Sequence, residues 1–271
     1  MRVEYNTTYG SFVINSKGAA LCSFRWKGVE VVPEFDPPSA CDKWKTGHLL
    51  FPFPARLQGG NRFDFEGEQW LWPLNDPDTN STIHGLSAYE DFELSLDAKG
   101  ITAVWKYDGS KPYYPFSCQI SIRYELREDG LSQYISVTNS SNSIMPFHIG
   151  WHPYVSIVGA WSIEGKLESE ISYDRHKTPV VVKAFTGLKV HEEIDKAVCA
   201  FSNGRSLSFE DSVKRITLQG MSSWFQVFAP AHASFVALEP LTGVGHPKTP
   251  WETLAPKEDR TYTNVLTVAL K

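Results

Sequence analysis

The chain has 271 residues, 42% of them hydrophobic and 21% charged, with a net charge of −5. That balance belongs to a folded globular protein, long enough for one large all-β domain or two ordinary ones. The acidic balance and the lack of any Lys/Arg block argue against a nucleic-acid partner, and no run approaches the 18 apolar residues of a membrane-spanning helix.

In chain order, the recurring pattern is a two-residue alternation. Residues 11–14 and 20–26 read as strands around the turn Asn15-Ser16-Lys17-Gly18, and Lys27-Gly28 turns into a further strand at 29–32. Residues 117–126 place Ile120, Ile122, Tyr124 and Leu126 on one face, with Ser121, Arg123 and Glu125 on the other. Arg127-Glu128-Asp129-Gly130 follows as a turn, and Leu131, Gln133, Ile135 and Val137 then share one parity. This predicts a hairpin in which Asp-Gly supplies the positive φ of a tight turn. Further strands are expected at 206–209, 215–218, 224–228, 235–238 and 262–270. No apolar stripe at helical spacing exceeds about two turns. Many short strands at such spacing predict an antiparallel sandwich or barrel, and without a low-complexity linker the chain reads as one domain over 1–271.

The start, Met1-Arg2-Val3-Glu4-Tyr5-Asn6, has no apolar h-region, so no signal peptide is expected. Cys22, Cys41, Cys118 and Cys199 are scattered without a C-x-x-C pair. Buried free thiols in a reducing, cytoplasmic compartment are therefore expected, not a disulfide framework or a metal cluster.

Two fragments stand out: Gly150-Trp151-His152-Pro153-Tyr154 and Val236-Ala237-Leu238-Glu239-Pro240. Pro153 forces His152 into an extended or turn conformation at a strand end. There it is either a satisfied half-buried histidine or a partly desolvated acid working near pH 7. Glu239 closes an apolar strand. It either faces solvent or is desolvated, which would raise its pKa toward a general-base value. His148 lies four residues before His152, but no Cys/His/Asp cluster accompanies them, so no metal is expected. His84, in Ile83-His84-Gly85, is a lone loop histidine. Arg56, in an apolar proline-stiffened loop, needs a carboxylate or ligand hydroxyls. The aromatic content, 13% with nine Trp, suits a β core and also suits stacking on sugar faces.

Taken in order, these motifs resemble the aldose 1-epimerase (mutarotase) family. The resemblance runs from about residue 10 to the C-terminus. Phe51-Pro52-Phe53-Pro54-Ala55-Arg56 is similar to its early Pro-Phe-x-x-Arg loop, Phe63-Asp64-Phe65-Glu66-Gly67 to the strand turn after it, and Ile83-His84-Gly85 to its Leu-His-Gly segment. Residues 124–131 resemble the central hairpin, and Trp151-His152-Pro153-Tyr154 stands where the family has Asn-His-Pro-Tyr. Gln226-Val227-Phe228 and Ala237-Leu238-Glu239-Pro240 resemble the late Gln-x-Tyr and Leu-Glu pair, and Leu254-Ala255-Pro256-Lys257-Glu258 the Leu-x-Pro-Gly-Glu that precedes the last strand.

The resemblance implies a large antiparallel β-sandwich of the galactose mutarotase type and interconversion of the α and β anomers of a free aldose. It implies His152 as general acid on the ring oxygen and Glu239 as general base on the anomeric hydroxyl. Arg56, His84, Gln226 and Asp195 would hold the sugar, and no cofactor or metal is implied. The expected partner is a monosaccharide such as glucose or galactose, bound by a monomer or homodimer. Three positions depart from the pattern. Ala55 replaces an Asn before the arginine, and the Asn61-Arg62 pair makes Arg62 an alternative sugar-binding arginine. Trp151 replaces the Asn before the catalytic histidine, exchanging a polar contact for a stacking surface. A hexose-6-phosphate epimerase would need more cations than Lys43, Lys45, Arg62 and Lys248. A non-catalytic sugar-binding protein on the same fold is another reading. A glycosidase would need a second carboxylate with a motif as clear as that of Glu239.

Overall fold

Alternating sequence becomes antiparallel sheet almost throughout the computed structural model, which describes residues 1–35, 39–57, 59–174, 177, 179–190, 192–200, 205–244 and 249–271. A four-stranded meander opens the chain: Arg2–Asn6, Gly10–Asn15, Ala20–Trp26 and Val29–Val32. A single helical turn and a half, Ser39–Trp44, follows.

One eight-stranded sheet runs, edge to edge, Ser162–Glu164, Ser206–Glu210, Lys214–Gln219, Asp259–Leu270, Gly130–Asn139, Cys118–Arg127, Gly100–Tyr107 and Glu93–Asp97. A second runs Pro179–Ala184, Leu167–Tyr173, Ile194–Ala200, Trp224–Ala229, Phe235–Leu241, Gly150–Trp151 and Leu49–Leu50, with Tyr154–Ser156 also pairing Phe235–Leu241. Two short pairs, Arg62–Phe65 with Glu68–Leu71 and Met145–Phe147 with Glu252–Leu254, complete the large antiparallel β-sandwich.

The central hairpin is present in the expected register, with Ile122 opposite Ile135 and Arg127 opposite Gly130. Its turn differs from the Asp-Gly expectation: Glu128 and Asp129 form the two-residue loop, and Gly130 starts the second strand at φ +151°. A Cβ at Gly130 would lie 1.9 Å from the Leu266 carbonyl oxygen of the neighbouring strand. Glycine is required there by close backbone approach as well as by φ.

Side chains from both large sheets and from the N-terminal meander merge in one cluster, including Phe12, Phe24, Ile122, Ile135, Phe209, Phe225 and Leu238. Gln133, polar yet on the apolar parity of its strand, is buried because it is fully engaged. It donates to the Tyr124 hydroxyl at 2.9 Å and accepts from Asn264 at 2.8 Å, while Tyr124 donates to the Ala19 carbonyl at 2.9 Å. A satisfied polar chain of this kind costs little to bury.

Alternation in the second sheet sorts its side chains between the core and a cavity. Phe225, Val227, Val236, Leu238 and Val198 point into the core. Residues of the opposite parity, Asp195, Gln226, Phe228 and Glu239, line the cavity on the other face. Among the described residues no helix is long and apolar enough to cross a membrane.

Candidate active site

The cavity encloses about 550 Å³. Its floor is buried and made by His84, His152, Tyr154, Gln226 and Glu239, while Lys43, Asn75, Asp78 and Tyr89 are exposed at its rim.

His152 sits in the two-residue break between Gly150–Trp151 and Tyr154–Ser156, where Pro153 cannot extend a ladder. The backbone on both sides is clamped by the 46–48 loop: Gly47 N–H donates to the His152 carbonyl at 2.7 Å, and His152 N–H donates to the His48 carbonyl at 3.1 Å. Gly47 has φ +66°, and a Cβ there would lie 2.3 Å from the Leu21 carbonyl oxygen, so the clamp demands glycine. Tyr154 stacks on the imidazole with centroids 5.1 Å apart, and His84 meets it edge-on at 5.3 Å.

Glu239 lies within the strand Phe235–Leu241, opposite Gln226, and not at its end as expected. Its Oε1 is 3.4 Å from His152 Nε2, and both residues are buried. His152 Nδ1 and His84 Nδ1 are buried without a hydrogen-bond partner. Burial pushes the Glu239 carboxyl well above its ordinary range, with the nearby Asp195 charge adding to the effect. The His152 imidazole moves the other way, down to about 3, through burial and then the neighbouring His48. This corrects the expectation of an imidazole poised near pH 7. Burial thus disfavours the charged form of both groups, the imidazolium of His152 and the carboxylate of Glu239.

Around this pair the wall is polar. Gln226 Nε2 donates to Asp195 Oδ1 at 2.7 Å, Lys177 Nζ donates to Asp195 Oδ2 at 3.0 Å, and the Tyr173 hydroxyl donates to Gln226 Oε1 at 2.7 Å. On another side, Arg56 Nη2 and Nε donate to Asp76 Oδ2 at 2.6 and 2.9 Å, and Nε also reaches Thr79. Burial would raise the Asp76 carboxyl, but the bonds from Thr79 and Arg56 outweigh it and hold it below the usual range. His84 and Ala55 are joined by a hydrogen bond from His84 N–H to the Ala55 carbonyl at 3.0 Å, and both are left-handed, at φ +66° and +54°. Such strain in non-glycine residues concentrates where a site dictates geometry.

Arg56, His84, His152, Asp195, Gln226 and Glu239 thus line one cavity although they are scattered over more than 180 residues of chain. Two expected residues do not. Arg62 is on the exposed hairpin strand Arg62–Phe65, tied to Asp64 at 2.8 Å, and takes no part in the lining. Trp151 is 1% exposed, and its indole N–H donates to the Gly47 carbonyl at 3.1 Å. Its parity turns it away from the cavity, so it braces the loop that clamps His152 and offers no stacking surface. Lys43 and Lys45 line the cavity; Lys248 lies outside the described residues.

The sequence reading missed Asp42, Trp44, Asp76, Tyr89, Tyr173 and Lys177. Trp44 comes from the short helix and packs against Phe228 and Phe235. Only proximity to Arg56 in a polar loop could have pointed to Asp76. Among the described residues there is no group of three or more His, Cys, Asp or Glu side chains able to hold a metal.

An antiparallel β-sandwich thus buries an imidazole and a carboxyl together on the floor of a polar and aromatic cavity. The sequence model of the aldose 1-epimerase family matches residues 1–261, and the chain belongs to that family. The uncharacterized protein YihR of Escherichia coli K12 is 30% identical over 142 residues, which are 51% of this chain and 45% of that protein. The match thus spans less than half of this curated relative. Among solved structures, a galactose mutarotase-like protein from Clostridium acetobutylicum superimposes with a TM-score of 0.85 at 17% identity, covering 100% of this chain and 95% of that one. An aldose epimerase homologue from C. elegans gives 0.85 at 14% identity, covering 100% and 99%.

Proposed function

We propose that the protein is a cytoplasmic, single-domain aldose 1-epimerase that interconverts the α and β anomers of a free hexose, with His152 and Glu239 as its acid–base couple. The observation that supports this best is the pair itself. A buried imidazole and a buried carboxyl stand 3.4 Å apart, and among the described residues the other ring nitrogen, His152 Nδ1, has no hydrogen-bond partner.

Mutarotation needs one proton donor and one acceptor at a time and restores both. A pair that holds one proton between them meets that need. In the bound state the anomeric hydroxyl donates to Glu239, which favours the carboxylate, and the displaced proton serves His152. His152 then protonates the ring oxygen as the bond from that oxygen to C1 breaks and Glu239 takes the anomeric proton. The open-chain aldehyde rotates about C1–C2. The former ring oxygen attacks the other face of C1, returns its proton to His152, and Glu239 reprotonates the new anomeric oxygen. Each general acid or base step contributes roughly 10²–10⁴-fold.

Arg56 and His84 bind sugar hydroxyls or the ring oxygen, and Asp195 and Gln226 bind further hydroxyls. A neutral sugar is favoured over a phosphorylated one. The lining carries Asp42, Asp76, Asp78, Asp195 and Glu239 against Lys43, Lys45, Arg56 and Lys177, and Arg56 and Lys177 are already paired with Asp76 and Asp195. A glycosidase is disfavoured because Asp195 is ion-paired with Lys177 and held by Gln226, which suits it to accept sugar hydroxyls and not to serve as an acid or nucleophile.

Polarimetry of freshly dissolved α-D-glucose and α-D-galactose tests the reading. The protein should speed relaxation of at least one; a wild type that speeds neither, nor any other aldose, would leave a binding protein on the same fold.

A further inference from the structure

Tyr173 belongs to no motif, yet it lines the cavity beside Gln226 and Asp195. It ends the strand Leu167–Tyr173, where the register against Pro179–Ala184 shifts between Ser172 and Tyr173. An irregularity of this kind is a common means of setting where one side chain points next to a site. Its ring packs on the small cluster of Ile171, Ala197, Leu241 and Val244, which leaves the hydroxyl facing the polar wall.

The hydrogen bonds around it run in one direction. The Asp195 carboxylate only accepts, so the Gln226 amide nitrogen must face it, at 2.7 Å. Gln226 Oε1 then faces Tyr173, whose hydroxyl donates to it at 2.7 Å. Burial raises the Tyr173 phenol well above its ordinary value, so it remains a donor across the working range. Lys177 completes the chain on the other Asp195 oxygen at 3.0 Å. Gln226 also lies directly opposite Glu239 in the sheet register.

We propose that Tyr173 is a positioning residue for the substrate: its hydroxyl pins the Gln226 amide so that an N–H faces the sugar, leaving Asp195 and Glu239 to accept the sugar's hydroxyl protons. This rests on the reading that a monosaccharide fills the cavity. Without the phenol, the Gln226 carbonyl oxygen is left buried beside the sugar and competes with those two carboxyl groups for the same protons.

The test is a double-mutant cycle of Tyr173→Phe and Gln226→Met. It reads KM and kcat for the aldose the wild type relaxes fastest, and Kd for D-galactose by calorimetry. Tyr173→Phe should raise KM and Kd roughly tenfold, about the worth of one hydrogen bond, with kcat within about twofold. In the Gln226→Met background it should add less than about twofold, because Tyr173 acts only through Gln226. Unchanged KM and Kd in Tyr173→Phe, or the same penalty in both backgrounds, would overturn the inference. Should Tyr173→Phe lose its cooperative thermal transition, Gln226→Met alone decides: a comparable rise supports the inference, and unchanged KM and Kd overturn it. A wild type that binds D-galactose but relaxes no aldose sinks the epimerase reading and leaves the Kd cycle to judge Tyr173. One that neither binds nor relaxes any aldose overturns both.

Discussion

Lys214–Asp211 and His152–Glu239 are both pairs of a basic and an acidic side chain hidden from solvent, and they are built in opposite ways. Asp211 accepts four donors: Val213 N–H and Lys214 N–H at 2.9 Å, Val158 N–H at 3.0 Å and Lys214 Nζ at 2.8 Å. Burial alone would raise its carboxyl, but these donors, led by Lys214, hold it below the usual range. The Glu239 carboxyl stands 3.4 Å from an imidazole and is driven upward by burial and by the Asp195 charge, while His152 is driven down. A satisfied buried pair fixes structure. A pair that the fold desolvates without a comparable set of donors is suited to an incoming ligand and a moving proton.

The largest effects should separate the two pairs cleanly. Asp211→Ala leaves Lys214 buried without its partner and should destabilise the fold by about 3–5 kcal/mol in denaturant unfolding, whereas replacing both residues by apolar ones of similar volume should recover most of that loss. Glu239→Gln should cut the anomerisation rate by roughly 10²–10⁴-fold while leaving the fold intact.

A smaller effect has a sign that follows from linkage. Glu239 has a folded pKa raised above its unfolded value, so its contribution to stability is present below about pH 4 and is lost as pH rises toward the folded value. Glu239→Gln should therefore raise Tm at pH 8 and leave it unchanged at pH 4. His152 has the opposite linkage. With a folded value of about 3, its contribution is complete above about pH 6.5 and is lost as pH falls toward 3. His152→Gln should flatten the fall of Tm between pH 6.5 and 4. Equal pH slopes for wild type and variant would mean that the pair is better solvated than its burial indicates.

The smallest effect concerns Ala55, left-handed at φ +54°. Asn adopts that conformation more readily than Ala, so Ala55→Asn should raise Tm by a degree or two, a gain of a few tenths of a kcal/mol to about 1 kcal/mol.

The sandwich was legible because period-two alternation fixes which face of each strand is buried, as residues 117–137 illustrate. His152 and Glu239 stand out as ionisable groups in apolar surroundings, the order of motifs adds Arg56, His84 and Gln226, and Asp195 follows only from the family resemblance, without a motif of its own. What stayed hidden depends on contacts between distant segments. Asp76 matters through Arg56, and Tyr173 through Gln226 after an irregular register. Trp151 read as a wall of the site because its neighbour is in it; strand parity turns it toward the 46–48 loop instead. The requirement for Gly130 is hidden for a similar reason, since the approach of Leu266 comes from a strand more than 130 residues away.

If His152 and Glu239 act together as the acid–base couple of an anomerase, removing either one should abolish the acceleration. The most direct measurement is the polarimetric relaxation of freshly dissolved α-D-galactose and α-D-glucose with wild type, His152→Ala and Glu239→Gln at equal folded concentration. Accelerated relaxation by the wild type on at least one sugar is expected, with near-background rates for both variants. A Glu239→Gln variant that relaxes the sugar as fast as the wild type would contradict that assignment.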